Sequence, residues 1–358
     1  MKTTVAAIDF GTSKIVTLVA ENSGAQRCDI VGAGIAAYDG YLEEGWNNPG
    51  GLDEAIRQSV SEAENQSHRK LREINVGVPG AFTRVYATEA TVDLKGTDPR
   101  VSAADVKSIF KKAAENLDKL PGIVVHSSPA WFMVDDGKKT LEPVGIKGRE
   151  LRALISFVVA NQFFVDEINN RLTDMGITVS GFFSTPAGEA MLYLPEEDRD
   201  RTAELIDIGY LNTEVMVVEG DALIFHQTIE IGGGNIAADL AMGLDIPLSA
   251  AEQIKRQYVY GIATPNTTYD VPGIDGQKPL SFEREKVAEI MEARVDEIAE
   301  EIKKAVEESG IKLGNWSNIY LTGGGLSFNR GGKDYLSGRL ERLVRKVERA
   351  AIMGLQDE

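Results

Sequence analysis

Apolar positions set the first expectations. Residues 4–9 and 14–21 alternate apolar with polar and are rich in β-branched residues, which predicts two strands joined at "DFGTSK". "DIVGAGIAAYDGYLEEGWNNPGG" predicts a third strand and a loop. "GLDEAIRQSVSEAENQS" switches to a helical period, with Leu52, Ile56, Val60 and Ala63 on one face, and "INVGVPG" returns to a strand. The texture then changes. "TRVYATEATVDL" reads as a strand, and "SAADVKSIFKKAAENLDKL" as a helix opened by a Ser102–Asp105 capping box. "GIVVHSSPAWFMVDD" and "VGIKGRELRALISFVVA" read as two more strands. This small α+β unit, 82–160, is predicted as an insertion. A helix ("NQFFVDEINNRLTDMG"), a strand ("ITVSGFF") and a helix ("PAGEAMLYL") follow it.

The second half repeats the opening plan. "RTAELIDIGYLNTEVMVVEGDALIFHQTIEIGGG" predicts three strands with a turn after the first. Helices are expected at "NIAADLAMGL" and "SAAEQIKRQYVYG", and a loop or irregular hairpin over 262–281, which is punctuated by Pro and Gly. A long helix follows in "SFEREKVAEIMEARVDEIAEEIKKAVEESG", with Val287, Met291, Val295, Ile298, Ile302 and Ala305 on its apolar face and Gly310 as its stop. "NIYLTGGG" is a strand ending in three glycines.

The two halves share strand, Asp-x-Gly, polar turn, strand, in "AAIDFGTSKIVTLVAE" and "ELIDIGYLNTEVMVVEG". An internal duplication changes the fold expected, to two related lobes whose matching turns would act as a clamp. Backbone N–H groups in such turns form a nest for phosphates. Gly11 and Gly209 allow close approach, Thr12 and Ser13 add hydroxyl donors, and Lys14 adds a cation. Asp9 and Asp207 are candidates to hold Mg²⁺ beside the phosphates, through water. A P-loop is excluded, because "IVTLVA" after the turn is a strand rather than a helix.

Glu252 and Lys255 lie three apart on one helix face, suited to ribose hydroxyls; the plain alternative is an intrahelical ion pair. Gly323, Gly324 and Gly325 could let a flat adenine lie on backbone, or be an ordinary loop, and Gly234 in "IGGGN" could approach the nucleotide. The three histidines, His68, His126 and His226, fall in no metal spacing and are assigned no site.

The totals narrow the classes. With 358 residues the chain exceeds one ordinary core. A net charge of -17 argues against general nucleic-acid binding, which needs a cationic field. A single cysteine, Cys28, rules out an internal disulfide and suits a reducing compartment. A strand within four residues of the start predicts no signal peptide, and "LRALISFVVANQFFV" is too short and too polar for a membrane span. The expected location is cytoplasmic, with at most a peripheral membrane contact.

The two turns, the Ala-Glu-x-Ile-Lys helix and the Leu-Thr-Gly-Gly-Gly strand end together resemble the actin, heat-shock chaperone and sugar kinase superfamily. Within it, residues 123–165, with Pro-Val-Gly-x-x-Gly and a strand returning to the core, resemble the inserted subdomain of the FtsA family of bacterial cell-division proteins, and the likeness runs to about residue 340. It implies an actin-like two-lobed α/β fold of duplicated ribonuclease-H-like domains. Its subdomains would be 1A (1–81 and 161–200), 1C (82–160), 2A (201–234 and 316–358) and 2B (235–315). It implies ATP and Mg²⁺ as ligands, head-to-tail self-assembly, capture of the FtsZ C-terminal peptide by 2B, and tethering to the inner face of the membrane at midcell.

Two departures matter. The family's second turn is Asp-x-Gly-Gly-Gly-Thr, whereas Tyr210 and Leu211 stand here, so crowding on the γ-phosphate side and slow or absent hydrolysis are expected. Glu189 in "STPAGEA" is the nearest candidate for a catalytic base. The chain also ends early. Arg339, Arg342, Arg345, Lys346 and Arg349 interleave with apolar residues, either as a basic amphipathic membrane helix or as the last helix and strand of 2A. A pilus-assembly or chaperone-like ATP-binding relative is the alternative reading, ahead of a small-molecule kinase.

Overall fold

The computed structural model describes residues 3–24, 27–42, 45–117, 120–261, 268–271, 279–314 and 317–348. In the first part of the chain the strands are β1 (Thr3–Phe10), β2 (Lys14–Gly24), β3 (Arg27–Ala37), β4 (Tyr41–Leu42), β5 (Gly45–Trp46), β6 (Glu73–Val78), β7 (Thr83–Asp93), β8 (Ile123–Val134), β9 (Glu150–Ala160) and β10 (Thr178–Ser184). Helices α1 (Pro49–Ser67), α2 (Ala103–Glu115), α3 (Gln162–Asp174), α4 (Thr185–Tyr193) and α5 (Glu196–Arg199) lie between or after them. Then come β11 (Ala203–Ile208), β12 (Thr213–Glu219) and β13 (Ala222–Ile229), α6 (Gly233–Leu244) and α7 (Leu248–Gln257), β14 (Thr268–Val271) and β15 (Leu280–Glu283). The described chain finishes with α8 (Arg284–Glu308), β16 (Ile319–Thr322), α9 (Gly332–Leu340) and β17 (Val344–Lys346).

The duplication seen in the turns extends to the sheets. One five-stranded sheet is ordered β3-β2-β1-β6-β10, the other β13-β12-β11-β16-β17. In the first, β1 pairs antiparallel with β2 and parallel with β6, which pairs parallel with β10. In the second, β11 pairs parallel with β16, and β16 parallel with β17. The chain divides into two compact units. One holds the residues up to Ala203 with Met216–Gln227, the other Glu204–Val215 with Thr228–Val347.

In the first unit an aromatic knot fixes the opening hairpin. Phe10 is buried and lies 5.7 Å from the Trp46 ring and 5.8 Å from Phe164. Burying such a ring is worth roughly 2–3 kcal/mol, which anchors the residue next to Asp9. Helix α1 begins where Asn48 accepts from the Gly51 N–H, with Pro49 at its start, and it buries Leu52, Ile56, Val60 and Ala63 as its period requires. Helix α2 has the expected capping box: Ser102 accepts from the Asp105 N–H, and the Asp105 carboxylate accepts from the Ser102 N–H. It packs with the sheet β7-β9-β8 around a core of its own that includes Ile109, Phe132, Leu151 and Ile155. A satellite cluster of Ala130, Trp131 and Ala222 joins β8 to β13. The segment 144–149, expected to extend the last strand of this unit, turns at 144–145 and bridges Arg100 only at Lys147, and β9 begins at Glu150.

In the second unit α8 buries Val287, Met291, Val295, Ile298, Ile302 and Ala305, the face predicted for it. Arg294 of α8 grips Asp239 of α6 through two bonds of 2.6 and 2.9 Å, a fork geometry that fixes the angle between the helices. One expectation needs correction here, and one open choice is decided. Helix α7 stops at Gln257 rather than running through "YVYG": Tyr258 is extended and Tyr260 donates its N–H to the Arg330 carbonyl, so both aromatic residues leave the helix for a buried tyrosine cluster. Of the two readings of the basic stretch, a helix followed by a strand is the one present among the described residues. Helix α9 ends at Leu340, Glu341 takes a left-handed conformation, and β17 follows. Arg339 pairs with Asp296 and Arg342 donates to the Ser317 carbonyl, so these arginines hold the unit together. Arg349 lies outside the described residues.

Glu204 gives the second unit a pH dependence. Its carboxyl is buried in β11 with Arg342 3.6 Å away. Burial pushes its pKa from 4.5 up to about 7, against the lowering effect of Arg342. A carboxyl raised in the folded state stabilises fully below its unfolded pKa, and that contribution is lost as pH rises through about 7. The amount at stake is roughly 3 kcal/mol. Glu204→Gln should therefore gain stability relative to the native chain between pH 5 and pH 8 in urea unfolding. A difference that stays flat over this range would refute the assignment.

Candidate functional site

The first turn is held from within and from behind. The Gly11 N–H donates to the Lys14 carbonyl at 2.9 Å, and the Tyr38 N–H donates to the Ser13 carbonyl at 3.1 Å. Thr12 is buried, while Ser13 and Lys14 are exposed at the tip. Asp9, at the end of β1, accepts from the Thr185 hydroxyl at 3.2 Å. Thr185 opens α4, where Ser184 caps the helix by accepting from the Ala187 N–H. Glu189 lies one turn further along the same helix face and is half-buried. Thr185 is a site residue that sequence reasoning missed. The signal was present in "STP", a cap followed by proline at a helix start.

The second turn has the same closure. The Gly209 N–H donates to the Asn212 carbonyl at 2.8 Å, the same i to i+3 bond as in the first turn. Around it the second unit gathers Asp207, Gly209, Gly234, Lys255, Glu252 and the 323–325 glycines. A Cβ on Gly323 would lie 2.0 Å from Asp207 Oδ1, and one on Gly325 2.5 Å from the Gly209 carbonyl oxygen. The Gly325 N–H donates to the Ile208 carbonyl. Of the three glycines, Gly324 is the exposed one, with open space where a side chain would be.

Lys255 is buried, and its ammonium donates to the Gly233 carbonyl at 2.8 Å and to Glu252 at 2.7 Å. Burial lowers its pKa, and Glu252 opposes that shift. The ion pair weighed as the plain alternative for Glu252 and Lys255 is thus present. The Tyr210 ring lies beside it, with Lys255 Nζ 5.7 Å from the ring centre. Burial raises the Tyr210 pKa, and the Glu252 carboxylate adds to the rise.

No three His, Cys, Asp or Glu among the described residues are grouped to hold a metal by themselves. A Mg²⁺ bound with a nucleotide needs no such cage: it takes most of its ligands from water and phosphate and one or two from carboxylates. Asp9 and Asp207 are hard oxygen donors of the fitting kind. Among the described residues no helix is long and apolar enough to cross a membrane.

The fold is similar to those of solved actin-like proteins. The PilM–PilN type IV pilus biogenesis complex superposes with a TM-score of 0.61 at 18% identity, over 96% of this chain and 88% of that one. MreB5 of Spiroplasma citri bound to AMPPNP gives 0.56 at 10% identity, over 96% and 91%. The class is therefore the actin-like fold. Sequence comparison carries the assignment further. The profile of the family described as cell division protein FtsA matches residues 205–356. Cell division protein FtsA of Neisseria meningitidis is 28% identical over 330 residues, 89% of this chain and 78% of that protein. Its namesake in Pseudomonas aeruginosa is 25% identical over 323 residues, 89% and 77%. In sequence the chain is thus similar to cell division protein FtsA over most of its length.

Proposed function

We propose that the chain is an ATP-binding scaffold of bacterial cell division that binds Mg-ATP through its two Asp-x-Gly turns, assembles head to tail, and joins the FtsZ C-terminal peptide to the membrane. The observation that carries the nucleotide part is the repeated turn closure, Gly11 to Lys14 and Gly209 to Asn212, each placed after a strand-end aspartate. The AMPPNP and ADP bound by MreB5 of Spiroplasma citri support it by fold analogy. Gly11, Thr12, Ser13, Lys14, Gly209, Gly234 and Gly323–Gly325 are assigned to the nucleotide, with Glu252 and Lys255 at the ribose. Asp9 and Asp207 are assigned to Mg²⁺, and Glu189 to a weak hydrolytic activity at most. The subdomain boundaries given above are part of the proposal, with peptide capture in 235–315.

Calorimetry with Mg-ATP and anisotropy with a labelled FtsZ C-terminal peptide test this reading. Saturable binding of both is expected. The TM-score with the PilM–PilN complex favours one other reading, a pilus-assembly relative. Binding of a PilN-type tail in place of the FtsZ peptide would decide for it.

A further inference from the structure

The second turn carries its own occupant. Helix α6 starts at Gly233 with Gly232 as its cap. First-turn amides of a helix are the donors an anion uses. Here the chain has taken them: Gly232 N–H donates to Asn235 Oδ1 at 2.9 Å, Gly233 N–H to the Gly209 carbonyl at 2.9 Å, and Gly234 N–H to the Tyr210 carbonyl at 2.6 Å. The same residue closes the space beside them. A Cβ on Gly234 would sit 2.9 Å from Tyr210 Cε1 and Cζ, so the ring lies flush on that glycine. The Lys255 ammonium is held by Gly233 and Glu252 and faces the ring. Tyr210 itself is half-buried and makes no side-chain hydrogen bond among the described residues. Packing and the cation–π contact hold it, forces a polyphosphate could overcome.

We infer that Tyr210 is a latch: its ring, lying on Gly234 and against Lys255, keeps the amino end of α6 bonded to the turn, and a nucleotide's phosphates reach that end only after the ring is displaced. The latch rests on the nucleotide reading above and makes Tyr210 the residue that limits nucleotide affinity.

The test uses the full chain and a fluorescent ATP analogue (2′/3′-N-methylanthraniloyl-ATP) with Mg²⁺. Tyr210 is not in the left-handed region, so serine fits its backbone without strain. Tyr210→Ser should bind the analogue at least about tenfold more tightly than the native chain, while Tyr210→Phe, which keeps the ring, should stay within about twofold. Equal or weaker binding by Tyr210→Ser overturns the latch. Hydrogen exchange without nucleotide gives an independent reading: the Gly233 and Gly234 amides should exchange faster in Tyr210→Ser, and unchanged protection overturns the latch as well. If exchange rises but neither protein binds the analogue, the latch over α6 stands as a structural device, and it is the nucleotide reading and the role in affinity that fall.

Discussion

Asp9→Ala is expected to weaken Mg-ATP binding by roughly a hundredfold or more, because a carboxylate near the phosphates acts through the metal and its water shell. The effect on stability should be small. Asp9 is partly buried, and the bond it accepts from the Thr185 hydroxyl is a 3.2 Å contact worth about 1 kcal/mol. Asp9→Asn separates the causes. It keeps an oxygen for the Thr185 hydroxyl but removes the charge, so it should lose metal-dependent affinity almost as fully as Asp9→Ala while melting like the native chain. Calorimetry with and without Mg²⁺ reads the outcome. Undiminished affinity in Asp9→Ala would remove Asp9 from the site and with it the assignment of the first turn.

Gly323→Ala should be among the most damaging single-methyl additions in the second unit. Gly323 has φ +86°, and its added Cβ would fall 2.0 Å from Asp207 Oδ1 and 2.3 Å from the Ile208 carbonyl oxygen. Left-handed backbone costs an alanine about 1–2 kcal/mol, and overpacking adds about 1–3 kcal/mol. A loss of roughly 2–5 kcal/mol in urea unfolding is expected. Gly324→Ala, one residue away, meets nothing within 4 Å and should be within about 1 kcal/mol of the native chain. Equal stabilities for the two variants would contradict the loop geometry. The comparison also bears on function, since Gly323 is a glycine for the sake of Asp207 and β11, whereas Gly324 has room at its surface for a ligand.

The periodicity of apolar residues was enough to determine most elements, because strand and helix patterns each bury one face. The α8 stripe from Val287 to Ala305 and the Ser102–Asp105 cap are local facts, and local chemistry decides them. The repeated Asp-x-Gly likewise announced two related halves, and the matching strand orders agree with it. Tertiary packing decided what local pattern could not. It ended α7 at Gln257, because Tyr258 and Tyr260 gain more from a buried aromatic cluster than from another helical turn. It broke the basic run after Arg339, because Arg342 finds the Ser317 carbonyl beside Glu204. It joined Thr185 to Asp9, 176 residues away in the chain, and laid Tyr210 on Gly234. Pairings between distant segments depend on which surfaces meet in the folded chain, and a sequence window of one helix or one strand holds no record of that meeting.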